Sequence, residues 1–340
     1  MARVTLKDVA EHAGVDVSTV SRALSEDRAH LVKQGTRVRV MQLAEQLGYR
    51  GNLQASALRR GRTQTIGVVV ADLSNPFIGP VLRGISQGLD GRRLLPIMTE
   101  SRDDSETLGR VCDLLLAQRV DGVICTAGRT GDRAALKQLS KETPTVLAVR
   151  RWANTKVTNV SFDDFEGGRM AAKHLLSLGH TQVAQLVGPA DIGSFEDRTR
   201  GFAEEISRAG GVCIEIEGDL NLPTFDAGRN LMTRLFQSAG NDMPTAVFAQ
   251  NDSMAVGALH LASERGLRCP DDISIVGYND APLTAHLTPA LTTVRLPGYE
   301  AGRVAAEMVV SLIEEPDQTP SSMMLAPDLI VRESTRTLHP

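Results

Sequence analysis

From Thr65 onward, short runs of β-branched and apolar residues alternate with segments of helical pattern, and this alternation constrains the fold most strongly. The run TIGVVVADL, at residues 65–73, is nearly all apolar, as expected for a strand that is buried on both faces. Amphipathic segments follow such runs, for example at residues 77–89 and 106–118. Repeated strand and helix alternation predicts an α/β fold with doubly wound parallel sheets.

The alternation occurs in two series. Further strands of the first series are predicted at LPIMTES, VDGVICTA, TPTVLAV and VTNVSF, and those of the second at QVAQLVG, CIEIEG, TAVFAQND, ISIVGYND and LTTVRLP. Two series predict two similar Rossmann-like subdomains with a cleft between them. Because ligands of doubly wound folds bind at the carboxyl ends of the strands, we expect a small-molecule site in that cleft.

Composition excludes several classes of protein. With 42% hydrophobic and 23% charged residues, the chain has the composition of a soluble globular protein. No apolar run approaches the roughly 20 residues that span a bilayer, and the N-terminus lacks a signal-peptide pattern, so we expect a cytoplasmic protein. The four cysteines form no CxxC pair, which favours buried free thiols over disulfides or a metal cluster. We expect neither a cofactor nor a metal.

Charge is distributed unevenly along the chain. Residues 1–63, which we call the head, carry eleven Lys and Arg against six Asp and Glu, whereas residues 64–340, the body, carry 26 against 35. A basic head on an acidic body indicates a module that binds a polyanion. A basic surface that is merely solvated is the alternative, so the local pattern has to decide.

The head has the pattern of three short helices. Thr5 and Asp8 are suited to cap a first helix, Gly14 to end it and Asp16 to cap a second, while residues 36–47 form a third. This arrangement matches a helix-turn-helix, whose second helix lies in the major groove of DNA. The alternative is a small helical bundle with a solvated polar face.

The outward face of the second helix favours DNA reading. Its outward side chains are Val17, Ser18, Ser21 and Arg22, and its inner ones are Val20, Ala23 and Leu24. Serine and threonine are weak helix formers, so hydroxyls on this face argue against a merely solvated surface. Arg22 is suited to a paired contact with guanine, and Val17 with Ser18 to a thymine methyl and one polar base edge.

The residues 4–24, VTLKDVAEHAGVDVSTVSRAL, resemble the opening of the LacI/GalR family of bacterial transcription repressors almost position by position. The body, from Thr65 to Glu333, resembles the periplasmic-binding-protein-like (type I) core of that family through LSNPF, DDFEGG, HLLSLGH, RTRGF, AQNDSMAVGAL, ISIVGYND and TPALTTVRLP. The resemblance implies that the head binds operator DNA through Thr5, Val17, Ser18, Thr19, Ser21 and Arg22.

Residues 51–63 form the last part of the head and lead into the body. They are too short for a stable isolated helix and carry Arg59, Arg60 and Arg62, so from composition they are equally a flexible basic linker. The resemblance implies instead a hinge helix that enters the minor groove of the operator, with Leu58 as the wedge between base pairs. Asn52 and Ala55 lie on the same segment. Gly51 replaces a proline that is usual in the family.

The resemblance also implies the domain boundaries. We expect a DNA-binding domain at residues 1–50, a hinge at 51–63 and an effector-binding and dimerisation domain at 64–340. The N-terminal subdomain is predicted at about 64–163 and 292–322, and the C-terminal one at about 164–291 and 323–338. The strand LTTVRLP and the helix at 300–313 are therefore expected to return to the N-terminal subdomain, and PDLIVRES to the other.

Family members hold an effector, often a sugar or a nucleobase, between the subdomains. The residues that match effector-binding positions of the family, or lie next to one, are Phe77, Arg150, Arg198, Asn251 and Asn279. Phe77 is expected to pack on the ligand, and the other four to bind its polar atoms. Each has a structural alternative, for example an ion pair of Arg198 within its own helix. Asp252 is expected to cap a helix rather than to bind the effector.

One departure from the family bears on the effector. A family aspartate that binds sugar hydroxyls is replaced by Val149, which Arg150 and Arg151 follow, and Asn279 stands where an acid is common. These changes predict a less negative cleft and a carboxylated or phosphorylated effector, such as a sugar acid, rather than a neutral sugar.

The sequence favours a regulator over an enzyme. GISQG, at residues 84–88, matches the G-x-S-x-G pattern of hydrolases but lies in an amphipathic helical segment, and no phosphate loop or HExxH pair occurs. A solute-binding receptor would fit the body but not the basic head. We therefore expect a sequence-specific DNA-binding repressor that acts as a homodimer on a pseudo-palindromic operator under effector control.

Overall fold

A computed structural model describes residues 4–25, 28–49, 62–152, 154–218, 222–240 and 242–338. The chain divides into two compact units, Met1–Thr63 and Gln64–Pro340. The hinge residues Asn52, Ala55 and Leu58 lie outside the described residues, so their predicted roles stay predictions.

The head contains three helices, α1 (Leu6–Ala13), α2 (Val17–Ala23) and α3 (Gln34–Gln46). Helix α1 begins with the predicted cap, because Thr5 N donates to Asp8 Oδ2 at 2.7 Å and Thr5 Oγ1 accepts from Asp8 N at 3.4 Å. It ends at Gly14, whose φ of 60° suits glycine. Asp16 caps α2 by accepting from Ser18 N at 2.7 Å.

Valine and alanine build the core of the head. Val9, Val20 and Val40, one from each helix, are completely buried, and Ala10, Ala13, Ala23 and Ala44 pack around them. Helix α3 begins two residues earlier than predicted, at Gln34, after a short 3₁₀ turn at Ala29–Leu31. That turn lies in the connection between α2 and α3.

The first sheet of the body has the predicted parallel strands. They are β1 (Thr65–Val70), β2 (Leu95–Glu100), β3 (Gly122–Cys125), β4 (Thr145–Val149), β5 (Asn159–Phe162) and, near the C-terminus, β11 (Ser322–Leu325), in the order β11-β5-β4-β3-β1-β2. The connecting helices are α4 (Ile78–Leu89), α5 (Ser105–Ala117) and α6 (Arg133–Glu142). Strands β1, β3 and β4 are buried on both faces, which explains their unbroken apolar runs.

The second sheet repeats the architecture. Its strands are β6 (Gln182–Leu186), β7 (Val212–Ile216), β8 (Ala246–Ala249), β9 (Ser274–Asn279), β10 (Thr292–Arg295) and β12 (Asp328–Ile330), in the order β12-β10-β9-β8-β6-β7. Its helices are α7 (Asp164–Ser177), α8 (Gly193–Arg208), α9 (Phe225–Ala239) and α10 (Asp252–Glu264). The short β12 runs antiparallel to its neighbour β10.

The predicted boundaries between the subdomains are wrong at two places. Strand β10 is expected in the first sheet but pairs with β9 in the second, because residues 280–291 form a compact turn, closed by Leu291 N donating to Thr284 O at 2.9 Å. The chain therefore crosses after β10, and α11 (Gly298–Glu314) packs against α4 as expected. Strand β11 then completes the first sheet up to Leu325, three residues beyond the predicted boundary.

Pairs of glycines let three pairs of helices approach closely. A Cβ at Gly302 of α11 would lie 2.0 Å from Val81 O of α4, and one at Gly84 of α4 would lie 2.0 Å from Tyr299 O. The same reciprocal contact joins α7 to α8 through Gly168 and Gly201, and α9 to α10 through Gly228 and Gly257. Backbone therefore meets backbone in all three pairs, and no side chain fits between them.

Neither a membrane-spanning helix nor a disulfide occurs among the described residues. No helix in these ranges is long and apolar enough to cross a bilayer. All four cysteines, Cys112, Cys125, Cys213 and Cys269, are free, and burial raises the pKa of the Cys112 thiol to about 11. These thiols are therefore protonated near neutral pH, which suits a packing role.

We predict that Gly302→Ala lowers the free energy of unfolding by at least ~2 kcal/mol, because the new methyl group meets the carbonyl of Val81. Gly79→Ala is the matched control, since Gly79 lies in α4 and a Cβ added there would meet no atom within 4 Å. There the better helix propensity of alanine is expected to raise stability by about 0.5 kcal/mol. Urea unfolding followed by circular dichroism measures both, and equal effects of the two substitutions would contradict the packing argument.

Candidate functional site

The first turn of α2 presents the side chains that the sequence predicts to contact DNA bases. Val17 is 40% exposed, and Ser18 and Arg22 are also exposed. Thr19 and Ser21 are partly buried. The inner face follows the prediction for Val20 and Ala23, which are buried, while Leu24 is half-buried.

Thr5 lies at the start of α1, where its side chain is engaged in the helix cap. Its hydroxyl donates to Asp8 Oδ2 at 2.8 Å, and the backbone N–H of Thr5 holds the pKa of the Asp8 carboxyl below its usual value. The residue is nevertheless exposed, so the positive end of α1 is accessible to a phosphate group.

A cavity of about 420 Å³ lies in the body where strands of both sheets end. It is lined by residues that follow β1, β4, β8 and β9, which is the position that a doubly wound fold provides for a ligand. All five residues predicted to bind the effector line it: Phe77, Arg150, Arg198, Asn251 and Asn279. Much of the remaining lining is apolar, including Ile192, Phe195, Leu222, Phe225 and Leu283.

Phe77 is a fixed part of the apolar wall. Its side chain is 6% exposed, and its ring meets the ring of Phe162 edge-on with centroids 6.0 Å apart. A Cβ at Gly298 would lie 2.9 Å from the Phe77 ring, so the N-terminus of α11 packs directly on it. The ring is thus held in one place and presents a rigid apolar surface.

Arg198 is bound by an aspartate of another helix. Its Nε donates to Asp164 Oδ1 at 2.8 Å, and its Nη1 donates to Gln250 O at 2.7 Å. The guanidinium carbon lies 3.9 Å from the centre of the Tyr278 ring. The ion pair therefore joins α8 to α7, and not to a residue of its own helix.

Arg150 is neutralised in a similar way. Its two terminal nitrogens donate to the two carboxylate oxygens of Asp103 at 2.5 and 2.6 Å, and Nη1 also donates to Gly128 O. Asp103 itself lines the cavity. Both arginines in the cavity lining therefore carry a carboxylate partner, and the expectation of a less negative cleft stays a prediction.

The capping role that the sequence assigns to Asp252 belongs to Asn251. Asn251, not Asp252, caps α10: its Oδ1 accepts from Met254 N at 2.8 Å, and its Nδ2 donates to Pro223 O at 2.7 Å. Asp252 is the first helical residue and accepts from Ala281 N and from the Thr293 hydroxyl. Asn251 lines the cavity, but its amide already makes a bond at each end.

Asn279 places a polar side chain without a hydrogen-bond partner among the described residues in the cavity lining. It is 7% exposed, and its amide makes no hydrogen bond to any residue within the described ranges. Its φ of 114° lies in a region that favours glycine. Backbone strain together with a buried amide that makes no hydrogen bond is expected at a ligand-binding residue.

The chain is similar to characterised regulators along its whole length. The model described as bacterial regulatory proteins, lacI family, matches residues 5–52, and that of a periplasmic binding protein-like domain matches residues 172–335. The HTH-type transcriptional regulator DegA of Bacillus subtilis (strain 168) is 32% identical over 345 residues, covering 99% of each chain. The chain belongs to the lacI family.

Solved structures of regulators agree with this assignment. The Lac repressor dimer bound to operator and the anti-inducer ONPF matches with a TM-score of 0.85 and 27% identity, covering 98% of this chain and all of the other. The complex of the transcriptional regulator CelR with cellobiose matches with a TM-score of 0.72 and 30% identity, over 98% and 100% of the two chains. This lacI-family protein is a DNA-binding transcription regulator and not an enzyme.

The hydrolase-like GISQG stretch is explained by packing. Gly84 and Gly88 lie within α4 and face α11, where a Cβ at Gly88 would lie 2.6 Å from the Ala306 Cβ. Ser86 is on the exposed side of the same helix and not at a turn between a strand and a helix. The interpretation of this match as chance is confirmed.

Sequence reasoning about the regulator's cleft missed Asp103 and Asp164. Asp103 is 47 residues from Arg150, and Asp164 is 34 residues from Arg198, so no local pattern links either pair. For Asp164 the DDFEGG motif, which contains it, is the one available signal. For Asp103 there is no comparable signal.

We predict that the contribution of Asp252 to the stability of this regulator falls as the pH rises from 4 to 7. Burial raises the pKa of its carboxyl to about 7, against about 3.9 in an unfolded chain. In this window only the folded state holds the proton, so a rise in pH lowers stability by up to about 1.4 kcal/mol per pH unit, and the effect levels off above pH 7.

Asp252→Asn is expected to remove this dependence. The difference in unfolding free energy between wild type and variant then favours the wild type most at pH 4 and shrinks up to pH 7. Urea unfolding at each pH measures it. Parallel pH profiles of the two proteins would contradict the protonation of this carboxyl.

Proposed function

We propose that this regulator represses transcription by binding a pseudo-palindromic operator as a homodimer, and that a neutral sugar in the body cavity controls its affinity for DNA. Residues 1–50 form the DNA-binding domain, 51–63 the hinge with Asn52, Ala55 and Leu58, and 64–340 the effector-binding and dimerisation domain. Since its target is the bacterial chromosome, the protein works in the cytoplasm.

The exposed first turn of α2 supports the operator-reading role. Val17 and Ser18 follow directly after the cap Asp16, so they stand at the end of the helix that enters the major groove in helix-turn-helix proteins. Arg22 is exposed one turn further on. The valine methyl is suited to contact a thymine methyl, the serine hydroxyl to contact a polar base edge, and the guanidinium to contact guanine.

We predict that Arg22→Ala weakens specific operator binding by ~1–3 kcal/mol while non-specific binding falls much less. Arg22→Lys is the matched control, because it keeps the charge but loses the paired contact to guanine. Operators selected from a random library and titrated by fluorescence anisotropy at several salt concentrations provide the measurement. If the lysine variant retains full specificity, Arg22 contacts phosphate and reads no base.

Asn279 is the observation that carries the effector role. Its amide offers both a donor and an acceptor, and no bond within the described part of the chain uses either. Phe77 and Phe195 provide apolar faces in the same cavity. Apolar walls with a few directed polar groups are what a ring with several hydroxyl groups requires.

The paired arginines favour a neutral sugar over a sugar acid. Arg150 and Arg198 are each bonded to a buried carboxylate, so neither is a free cation that would attract an acid. The similar protein CelR has been solved with cellobiose, a neutral sugar. The effector binds between two subdomains that the chain crosses three times. If the effector prefers one arrangement of the subdomains, its binding changes the affinity of the head for DNA. Such a coupling free energy is typically about 1–3 kcal/mol.

We predict that a thermal-shift screen of neutral sugars identifies the effector, since a ligand at 100 times its Kd stabilises by about 2.7 kcal/mol. Asn279→Gly is expected to weaken the binding of that sugar at least 10-fold, because glycine accepts the φ of 114° but lacks the amide. Operator affinity without sugar stays as in the wild type. Unchanged sugar binding by the variant would remove Asn279 from the site.

A further inference from the structure

The two arginines in the lining of the body cavity share an unusual environment. The side chains of Arg198 and Asp164 are 7% and 0% exposed, and those of Arg150 and Asp103 are 11% and 1% exposed. Both carboxylates are therefore more deeply buried than the arginines that they hold. A charge at such depth is tolerated because its partner is near.

These pairs leave the arginines able to donate hydrogen bonds while cancelling their charge. A guanidinium has five N–H groups. Arg198 uses one for Asp164 and one for Gln250 O, so further N–H groups are available beside the cavity. A hydroxyl oxygen of a ligand can accept from them. A ligand carboxylate would instead stand near the buried Asp164 and Asp103, and like charges at that distance repel.

Asp164 is held in place from several directions. It is the first residue of α7, directly after the chain crosses from β5 of the first sheet. The Tyr278 hydroxyl donates to its Oδ1 at 3.1 Å, and the Tyr278 ring stacks on Arg198. Asp164 Oδ2 has no hydrogen-bond partner among the described residues. The negative charge therefore depends on Arg198 for its compensation, and the pair acts as one neutral, rigid donor.

We infer that Asp164 and Asp103 are specificity-determining residues that make the cleft accept neutral, hydroxyl-bearing effectors and reject acidic ones. This inference rests on the proposed effector-binding function of the cavity. Neither carboxylate needs to touch the ligand. Each acts by neutralising and orienting the arginine in front of it, so that loss of its charge converts that arginine into a free cation.

The test compares sugars that differ only by an acid group. Cellobiose with cellobiouronate, glucose with glucuronate and galactose with galacturonate are titrated calorimetrically into the full-length protein. For the pair whose neutral member binds, the wild type is expected to bind the acid at least 10-fold more weakly. Asp164→Asn and Asp103→Asn are each expected to move the ratio of the two Kd values at least 10-fold toward the acid.

Tyr278→Phe is the matched control. It removes a hydrogen bond from the same buried cluster but no charge, so it can weaken both sugars while leaving the ratio of their Kd values unchanged. A purely structural role of Asp164 would give the same result for Asp164→Asn. Thermal melting and operator binding by each variant establish that it is folded.

Each outcome supports or overturns either the inference about Asp164 and Asp103 or the proposed control by a sugar. Tighter binding of the acid by the wild type overturns the inference, as does an unchanged ratio in a folded Asp103→Asn or Asp164→Asn. If one variant fails to fold, the other variant still tests the inference, as does the ratio of the two Kd values in the wild type. If the effector from the thermal-shift screen is another neutral sugar, that sugar and its uronate form the tested pair; if no neutral sugar binds the wild type, the proposed control by a sugar is contradicted, and the inference falls with it.

Discussion

The direct contact of helix backbones through glycine determines where the cleft residues stand. A Cβ at Gly168 of α7 would lie 2.4 Å from Arg198 O of α8, and one at Gly201 would lie 2.0 Å from Phe165 O. Only at this separation does Asp164, at the start of α7, reach Arg198 with a bond of 2.8 Å. A larger residue at either glycine would separate the helices and break a buried ion pair, which is far costlier than the packing defect alone.

Contacts beside the cavity join the two subdomains. Arg129 donates to Asp191 at 2.6 Å and Arg151 to Asp197 at 2.8 Å, so residues after β3 and β4 of the first sheet hold the start of α8. Thr130 N also donates to Asp191 O. These bonds are partly exposed, and exposed ion pairs contribute little each. An effector with a modest preference for another arrangement can therefore shift the subdomains, which is what control by a small molecule requires.

The order of elements was predictable because it depends on local patterns, whereas the pairing of distant residues was not. Each buried strand of the first sheet is marked by a run such as TIGVVV, and five cleft residues were found by their positions in motifs. The sheet that receives β10 depends instead on the compact turn at residues 280–291. The partners of Arg150 and Arg198 depend on the approach of separate elements. Sequence suggested that both arginines line the cleft, and tertiary structure adds a carboxylate partner for each.

Helix α2 shows the same dependence of a short element on its surroundings. Helix α2 has seven residues, too few to persist alone in water, so its conformation rests on the cap Asp16 and on the burial of Val20 and Ala23. Its core partners Val9 and Val40 come from the other two helices of the head. The buried residues of that core are all valine or alanine, so loss of a single methyl group leaves a void among closely packed small side chains. Substitutions inside the head therefore affect operator affinity through the shape of α2, without any contact to DNA.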